Sequence, residues 1–234
     1  MGDELTGDSI KAIARDCGAD LCGIAPVERF SLAPAGFHPR DVFEQTRSVA
    51  AFAVRVPDSA FASPSAVPYT FFTTQVLDAV SKVTYELVCR LEGLGLTAVP
   101  APSEPYEFWD NSTKTGKGTL SLRHAAALAG LGTITRNHLL TNRRYGNRIA
   151  LGAVLLDAEI DPDPLCDEPQ CPAACNVCRE LCRAGAISDE GVDQRLCRFV
   201  AEGPNERGFY MYWCRACREK CPLSKGDAVK DAHL

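Results

Sequence analysis

Hydrophobic positions along the chain fall into two regimes. Up to about residue 160 they come as short apolar runs and helical stripes, and beyond it they thin out. DSIKAIARDCGAD reads as a short helix, with Asp8 or Ser9 as its N-cap and Gly18 at its stop. LCGIAPV and SVAAFAVRV are short apolar runs with β-branched content and read as buried strands. From Tyr69 to Leu94, the residues Phe72, Val76, Val80, Val83, Leu87 and Leu91 recur at three- and four-residue spacing. That spacing puts them on one face of the clearest helix in the chain, which Gly93 and Gly95 close. LTAVP follows as a strand, and SLRHAAALAGLG as a helix ending on glycine. HLLTN, RRYGN and RIALGAVLLDAEI read as strand, turn and strand. The pattern of this part is α+β.

The segment IDPDPLCDEP holds three prolines and four acids and reads as a linker. It divides the chain into residues 1–160 and 161–234. The second part has poor apolar periodicity and few large apolar side chains, so its own core is small. Something covalent is expected to hold it together.

Composition narrows the classes. With 234 residues, 46% hydrophobic and 24% charged, the chain can bury a core and is not disordered by composition. A net charge of -5 argues against a general nucleic-acid coat. No apolar run approaches the roughly 18 residues of a bilayer span, which excludes an integral membrane protein. The start, MGDELTGDSI, lacks a secretory pattern, so a cytoplasmic protein is expected. It does fit M-G-x-x-x-[ST], the myristoylation pattern, but nothing basic follows to assist an anchor.

Cysteine changes the picture most. Nine of the 12 cysteines lie between Cys166 and Cys221. In a reducing compartment, clustered thiols point to metal rather than to disulfides. Cys171, Cys175, Cys178 and Cys182 read C-x3-C-x2-C-x3-C, and Cys214, Cys217 and Cys221 read C-x2-C-x3-C before Pro222. In two-cluster ferredoxins the last cysteine of such a run ligates the other cluster. Close spacing wraps a loop around one cubane, and the cysteine three residues later points away to the second. One cluster then takes Cys171, Cys175, Cys178 and Cys221. The other takes Cys182, Cys197, Cys214 and Cys217. Cys166 is spare, with the option of replacing Cys171. A four-cysteine zinc site from Cys175, Cys178, Cys214 and Cys217 is the alternative, but it leaves the other four spacings without a reason. Arg183 follows Cys182 where that pattern has proline. Cys17, Cys22 and Cys89 lie in apolar surroundings and read as small buried hydrophobes.

Charge is uneven too. Asn111 to Leu156 contains no Asp or Glu in 46 residues, where the chain-wide rate would give about six. Lys114, Lys117, Arg123, Arg136, Arg143, Arg144 and Arg148 lie within it, with His124 and His138. This suits an anionic cofactor or substrate; the alternative is a solvated face balanced by acids from elsewhere. The two histidines and Tyr145 read first as hydrogen-bonded or packing side chains. AGLGT lacks the full G-x-G-x-x-G and follows a helix, which rejects a Rossmann site.

RHAAALAGLGTITRNHLLTNRRYGNRIALGAVLLDAEIDPD, followed by the cysteine array, resembles the epoxyqueuosine reductase family and its reductive-dehalogenase relatives. The resemblance runs from GADLCGIAPVERF to Pro222 and is most specific from Arg123 onward. It implies a nitroreductase-like N-terminal domain, a ferredoxin-like domain with two 4Fe–4S clusters, and a cobalamin between them. AGLGT and YGN match the family's cofactor-facing region, which makes Arg123, Asn137, Tyr145, Gly146 and Asn147 candidate cofactor contacts. The family's tRNA-acting members carry a catalytic acid about seven residues before the arginine that matches Arg123. Here Gly116 stands there, so no catalytic residue is assigned. Those members also carry C-terminal helical repeats that contact tRNA, whereas this chain ends 13 residues after Cys221, which argues against tRNA as a partner. The expectation is an iron–sulfur oxidoreductase fed by a donor such as a ferredoxin or flavodoxin. Its electrons would reach a corrinoid, a flavin or a substrate near residues 111–156. The rival expectations are an electron-transfer or activator protein for a partner enzyme, and a zinc-stabilised binding module.

Overall fold

The computed structural model of the protein describes residues 5–227. The myristoylation pattern begins at residues 1–4, outside the described residues. The first helix, α1 (Gly7–Asp16), starts earlier than its composition suggests. Thr6 caps it, with Thr6 and Ser9 exchanging backbone-to-side-chain bonds of 3.0 and 3.2 Å in a capping box. Gly18, at φ +105, follows the cap as expected. Strand β1 (Leu21–Pro26), the single-turn α2 (Pro39–Val42) and strand β2 (Ser48–Arg55) come next.

The long α3 (Ala66–Glu92) begins three residues before the expected Tyr69. Its first turn holds Pro68, whose missing N–H is no loss there, and the Ser65 side chain accepts from the Val67 amide at 3.2 Å. Then follow β3 (Ala98–Ala101), β4 (Phe108–Asp110), β5 (Thr115–Lys117), α4 (Leu122–Leu128), β6 (Thr133–Ile134), β7 (Leu140–Thr141) and β8 (Ile149–Leu156). The remainder holds α5 (Val177–Glu180), α6 (Gln194–Ala201), β9 (Glu202–Pro204), β10 (Tyr210–Tyr212) and α7 (Ala216–Glu219). The α+β expectation therefore holds.

The main sheet is antiparallel, in the order β1-β2-β8-β3. Its central strands are buried on both faces, which explains their unbroken apolar runs. On one face Ala50, Phe52 and Val54 meet α1 and the Val76, Val80, Val83, Leu87 and Leu91 stripe of α3. On the other, Val49, Ala51 and Ala53 meet Ala125, Ala126 and Ala129 around α4. The alternation along β2 thus serves two cores.

One sequence expectation is corrected. HLLTN does not pair with RIALGAVLL. Its β7 pairs with β6, while β8 pairs with β2 and β3. RRYGN closes on itself through an Asn142–Gly146 bridge, so the chain is turned away before β8 begins. The acidic IDPDP segment is also no free tether. Asp163 takes the Lys11 ammonium at 2.7 Å and the Ile24 amide at 2.8 Å, which pins it to α1 and β1. No helix among the described residues is long and apolar enough to cross a membrane.

Candidate metal centre

From Cys166 onward, short helices and one hairpin carry the thiols. The two close-spaced runs fold alike. Cys178-Arg179-Glu180 lies on α5 and Cys217-Arg218-Glu219 on α7, and both follow a cysteine three residues upstream. These two single-turn helices pack against each other. Cys182 and Cys221 follow each turn at the same distance, so the runs form a local structural repeat.

The thiols sort by their electrostatic neighbours. Burial pushes the Cys178 thiol up, and Cys171 and Cys175 push it further. Burial also raises Cys221, with added repulsion from Cys171, Cys175 and Cys178. Cys197 is raised by burial and then by Cys182 and Cys214. Burial pushes Cys217 up to about 12, with Cys197, Cys214 and Cys182 next and Cys178 last. The two sets are thus Cys171, Cys175, Cys178 and Cys221, and Cys182, Cys197, Cys214 and Cys217. Cys217 sees a member of each.

Cys178 and Cys221 in one set, and Cys197 and Cys217 in the other, are raised first by burial, and a bound cation would favour their thiolates. Two of the sulfurs accept backbone bonds: the Arg136 amide donates to Cys171 Sγ and the Ala186 amide to Cys182 Sγ, each at 3.3 Å. Among the described residues, no three His, Cys, Asp or Glu groups are drawn tightly enough around a point to hold a single metal ion. Cys166 joins neither set: its thiol donates to the Glu168 carbonyl at 2.8 Å. Of the remaining three, Cys17 is buried and Cys22 half-buried, but Cys89 is exposed, contrary to the sequence reading. It lies on the same outward stripe of α3 as the exposed Tyr85, one turn away.

The candidate cofactor contacts mostly brace the cysteine-bearing segment. Asn137 is buried; its Nδ2 donates to the Cys217 carbonyl at 3.0 Å, and its Oδ1 accepts from Thr135 Oγ1 and the Leu139 amide. Gly146, at φ +60, lies against the Leu223 and Ser224 backbone, where a Cβ would come within 2.3 Å. No other residue type fits there without moving the chain behind Cys221. Tyr145 is buried between the guanidinium groups of Arg55 and Arg144. Arg123 is half-buried and donates to the His138 carbonyl, and burial lowers its pKa. Asn147 differs from these: it is buried, and neither its Nδ2 nor its Oδ1 has a partner. A buried amide left open on both sides is the feature that most invites a further ligand.

Two of the seven Lys and Arg side chains of the acid-free stretch pair with acids from outside it. Arg148 pairs with Asp58, and Arg143 with Asp227 and Glu168. Arg136 donates to the Cys175 carbonyl, and Lys114 to the Glu202 carbonyl at 3.0 Å. A cavity of about 480 Å³ opens beside Cys171, and Arg136, His138, Arg179 and Asp189 line it. None of the five candidate cofactor contacts is on its wall.

Gly116 lies in β5 directly opposite Trp109 in β4. A Cβ on it would approach the Trp109 ring within 2.8 Å and the Tyr106 ring within 3.0 Å. The Gly116 amide donates to Gln194 Oε1 at 3.1 Å. The position is filled by aromatic rings from β4 and the loop before it, which leaves no room for a carboxylate.

Together these features define a class: an α+β sheet protein whose C-terminal segment gathers eight thiols four by four. Comparison with known proteins then shows what the chain is similar to. No protein-family model matches the chain. Epoxyqueuosine reductase of Bacillus subtilis (strain 168) is 33% identical over 128 residues, which cover 50% of this chain and 32% of that protein. The epoxyqueuosine reductase of Staphylococcus aureus (strain NCTC 8325 / PS 47) is 31% identical over 120 residues, 47% of this chain and 31% of that protein. Among solved structures, epoxyqueuosine reductase from Streptococcus thermophilus aligns with a TM-score of 0.64 at 19% identity, over 92% of this chain and 65% of that one. Epoxyqueuosine reductase bound to a modified tRNA stem loop aligns at 0.62 with 18% identity, over 93% and 64%. A reductive dehalogenase whose structure suggests a B12-dependent mechanism aligns at 0.65 with 16% identity, over 100% and 34%. Over about half its length the chain is similar in sequence to epoxyqueuosine reductases, and it shares its fold with them and with reductive dehalogenases. It aligns with about two thirds or less of the length of these relatives, and the matched segment is about one third of the curated ones.

Proposed function

We propose that the chain is an iron–sulfur oxidoreductase that moves electrons one at a time from an external donor, through two 4Fe–4S clusters, towards a bound cofactor or substrate. On this reading residues 1–160 are a nitroreductase-like domain and residues 161–234 a ferredoxin-like domain, working in the cytoplasm. Cys171, Cys175, Cys178 and Cys221 hold one cluster, and Cys182, Cys197, Cys214 and Cys217 hold the other. The single observation that carries it is that the two close-spaced runs fold as contacting single-turn helices, α5 and α7, each holding a cysteine with another three residues before it and another four residues after it. A cubane, in which each thiolate binds a different iron, would use all four thiols of each set. Similarity in sequence and fold to epoxyqueuosine reductases supports the redox assignment.

A corrinoid or flavin would supply chemistry at carbon or halogen that clusters alone do not. The cavity beside Cys171 is the natural place for a redox partner of the first cluster, with Arg136 and His138 contributing polar groups there. Asn147 offers a separate pair of open hydrogen-bonding atoms. The residues around Gly116 do not support acid catalysis of the kind the tRNA-acting relatives use. That observation favours a second reading, an electron-transfer or activator protein serving a partner enzyme.

The test is a pair of substitutions in anaerobically reconstituted protein. Cys197→Ala should remove about half of the cluster absorbance near 400 nm, because only one of two equal clusters loses a ligand. Cys166→Ala should leave it intact. Full absorbance in Cys197→Ala would overturn the ligand sets.

A further inference from the structure

One turn of the sheet domain touches both thiol sets. Between β6 and β7 the chain closes tightly. The Thr135 amide donates to the Leu139 carbonyl at 3.1 Å, and the His138 amide to the Thr135 carbonyl at 2.7 Å. The buried hydroxyls of Thr135 and Thr141 bond to each other at 2.9 Å, and His138 takes a left-handed backbone. Two consecutive residues of this turn reach the cysteine-bearing segment. Asn137 donates to the carbonyl of Cys217, in one set. Arg136 meets the other set twice: its amide donates to Cys171 Sγ at 3.3 Å, and its guanidinium donates to the Cys175 carbonyl. The same guanidinium lies 3.4 Å from Asn176 Oδ1.

The two residues differ in charge. Asn137 is neutral, whereas the Arg136 guanidinium stays charged at any pH a protein meets. Arg136 is half-buried and lies on the wall of the cavity beside Cys171. Arg179, on the same wall, is paired with Asp189, while Arg136 has no carboxylate partner among the described residues. Its field crosses the wall all the same. Asp189 is held below the ordinary carboxylate range first by its bond to Arg179, and Arg136 adds to that. Asp167 is the other acid on the wall. Net charge and hydrogen bonds to the sulfurs are what set the potential of a cluster.

We infer that Arg136 raises the reduction potential of the cluster held by Cys171, Cys175, Cys178 and Cys221, and so helps to hold an electron beside the cavity. The inference rests on the iron–sulfur reading above and adds the residue that tunes one of the two clusters. In the step itself the donor is oxidised by one electron and the cluster is reduced by one, with no bond made or broken. The reduced cluster carries one more negative charge, which a nearby guanidinium stabilises. At an effective dielectric constant of about 20, one charge about 10 Å away shifts the ratio of reduced to oxidised cluster about tenfold. Asn137 puts no charge on the other cluster.

The experiment is a redox titration of the anaerobically reconstituted full chain, followed by electron paramagnetic resonance, with iron counted in every sample. The same titration in the Cys197→Ala background, where the other cluster loses a ligand, identifies which wave belongs to the first cluster. Arg136→Gln keeps the backbone bond to Cys171 and removes the charge. At the wild-type midpoint it should lower the ratio of reduced to oxidised first cluster about tenfold, which is about 59 mV for a one-electron couple. Arg136→Lys should restore most of that, and the other wave should move clearly less. Full iron with an unmoved first wave in Arg136→Gln overturns the inference and leaves the iron–sulfur reading standing. An equal shift of both waves overturns it too. A shift that Arg136→Lys does not restore assigns the effect to the bond with the Cys175 carbonyl, and the charge is then not its cause. If Arg136→Gln does not load the first cluster, the exposed Asp189→Asn takes its place. Its loss leaves the Arg136 charge less opposed, so the first wave should rise, and an unmoved wave overturns the inference. Wild type without iron removes both readings.

Discussion

At the scale of single residues, burial and local charge decide what each side chain is free to do. Arg123, His124 and His138 illustrate this, since each lies close enough to affect another. Burial lowers the pKa of both imidazoles from the ordinary 6.5, and the Arg123 charge lowers each further. His138 also holds a left-handed backbone, at φ 57, while its carbonyl accepts from Arg123. Because the folded pKa lies below the unfolded one, the unfolded chain takes up these protons first. Stability is therefore intact above the ordinary histidine range and declines as pH falls through it. The unfolding midpoint in urea should drop between about pH 7 and pH 5.5, and the double substitution His124→Gln with His138→Gln should flatten that slope. An unaltered slope would show that neither imidazole is held neutral by its surroundings. Gly116 makes the same point through space rather than charge: the Trp109 and Tyr106 rings fill the volume that a longer side chain would need.

At the scale of elements, the sequence was most legible where one periodicity ran long. The α3 stripe was readable residue by residue, because a helix buried along one side must repeat its apolar positions. Leu87 in that stripe is wholly buried, while Tyr85 two residues earlier is 71% exposed. Leu87→Ala should cost about 2–5 kcal/mol in denaturant unfolding, and Tyr85→Ala no more than about 0.5 kcal/mol. Equal costs would mean that the face has been read wrongly. What the pattern could not supply was pairing and capping. Thr6 caps α1 through a reciprocal bond with Ser9, which competes with the equally suitable Asp8 and Ser9 in the sequence. The β6–β7 pairing involves two residues on each strand, too few for any alternation to register. Cys89 was misjudged because its neighbours in the chain are apolar while its position on the helix faces out.

The candidate site divides along the same line. Spacing suggests two groups of thiols, and the structure shows the two close runs each wrapping one turn, on α5 and α7. The positions of Asn137 and Gly146 did not follow, because their roles depend on chain far downstream. Asn137 reaches the Cys217 carbonyl, and Gly146 lies beneath Leu223 and Ser224. These residues fasten the cysteine-bearing segment to the sheet domain.

Across the whole molecule, the two parts are joined by backbone carbonyls taken up by long side chains. Arg218 donates to the Asn147 carbonyl at 3.0 Å and the Ile149 carbonyl at 2.6 Å, while Arg215 reaches the Ser63 and Ser65 carbonyls from the same helix region. Lys114 and Arg198 cross in opposite senses, Lys114 to the Glu202 carbonyl and Arg198 back to the Lys114 carbonyl at 2.8 Å. These bonds hold the segment from outside, and the eight thiols are left to hold it from within. On the proposed reading, a segment with no large core of its own gains its internal order from the clusters those thiols hold. The most direct test is the metal content of the chain purified without oxygen, with iron, zinc and cobalt measured together. The account predicts about eight irons per chain, two cubanes of four, with little zinc. Stoichiometric zinc with little iron would contradict it.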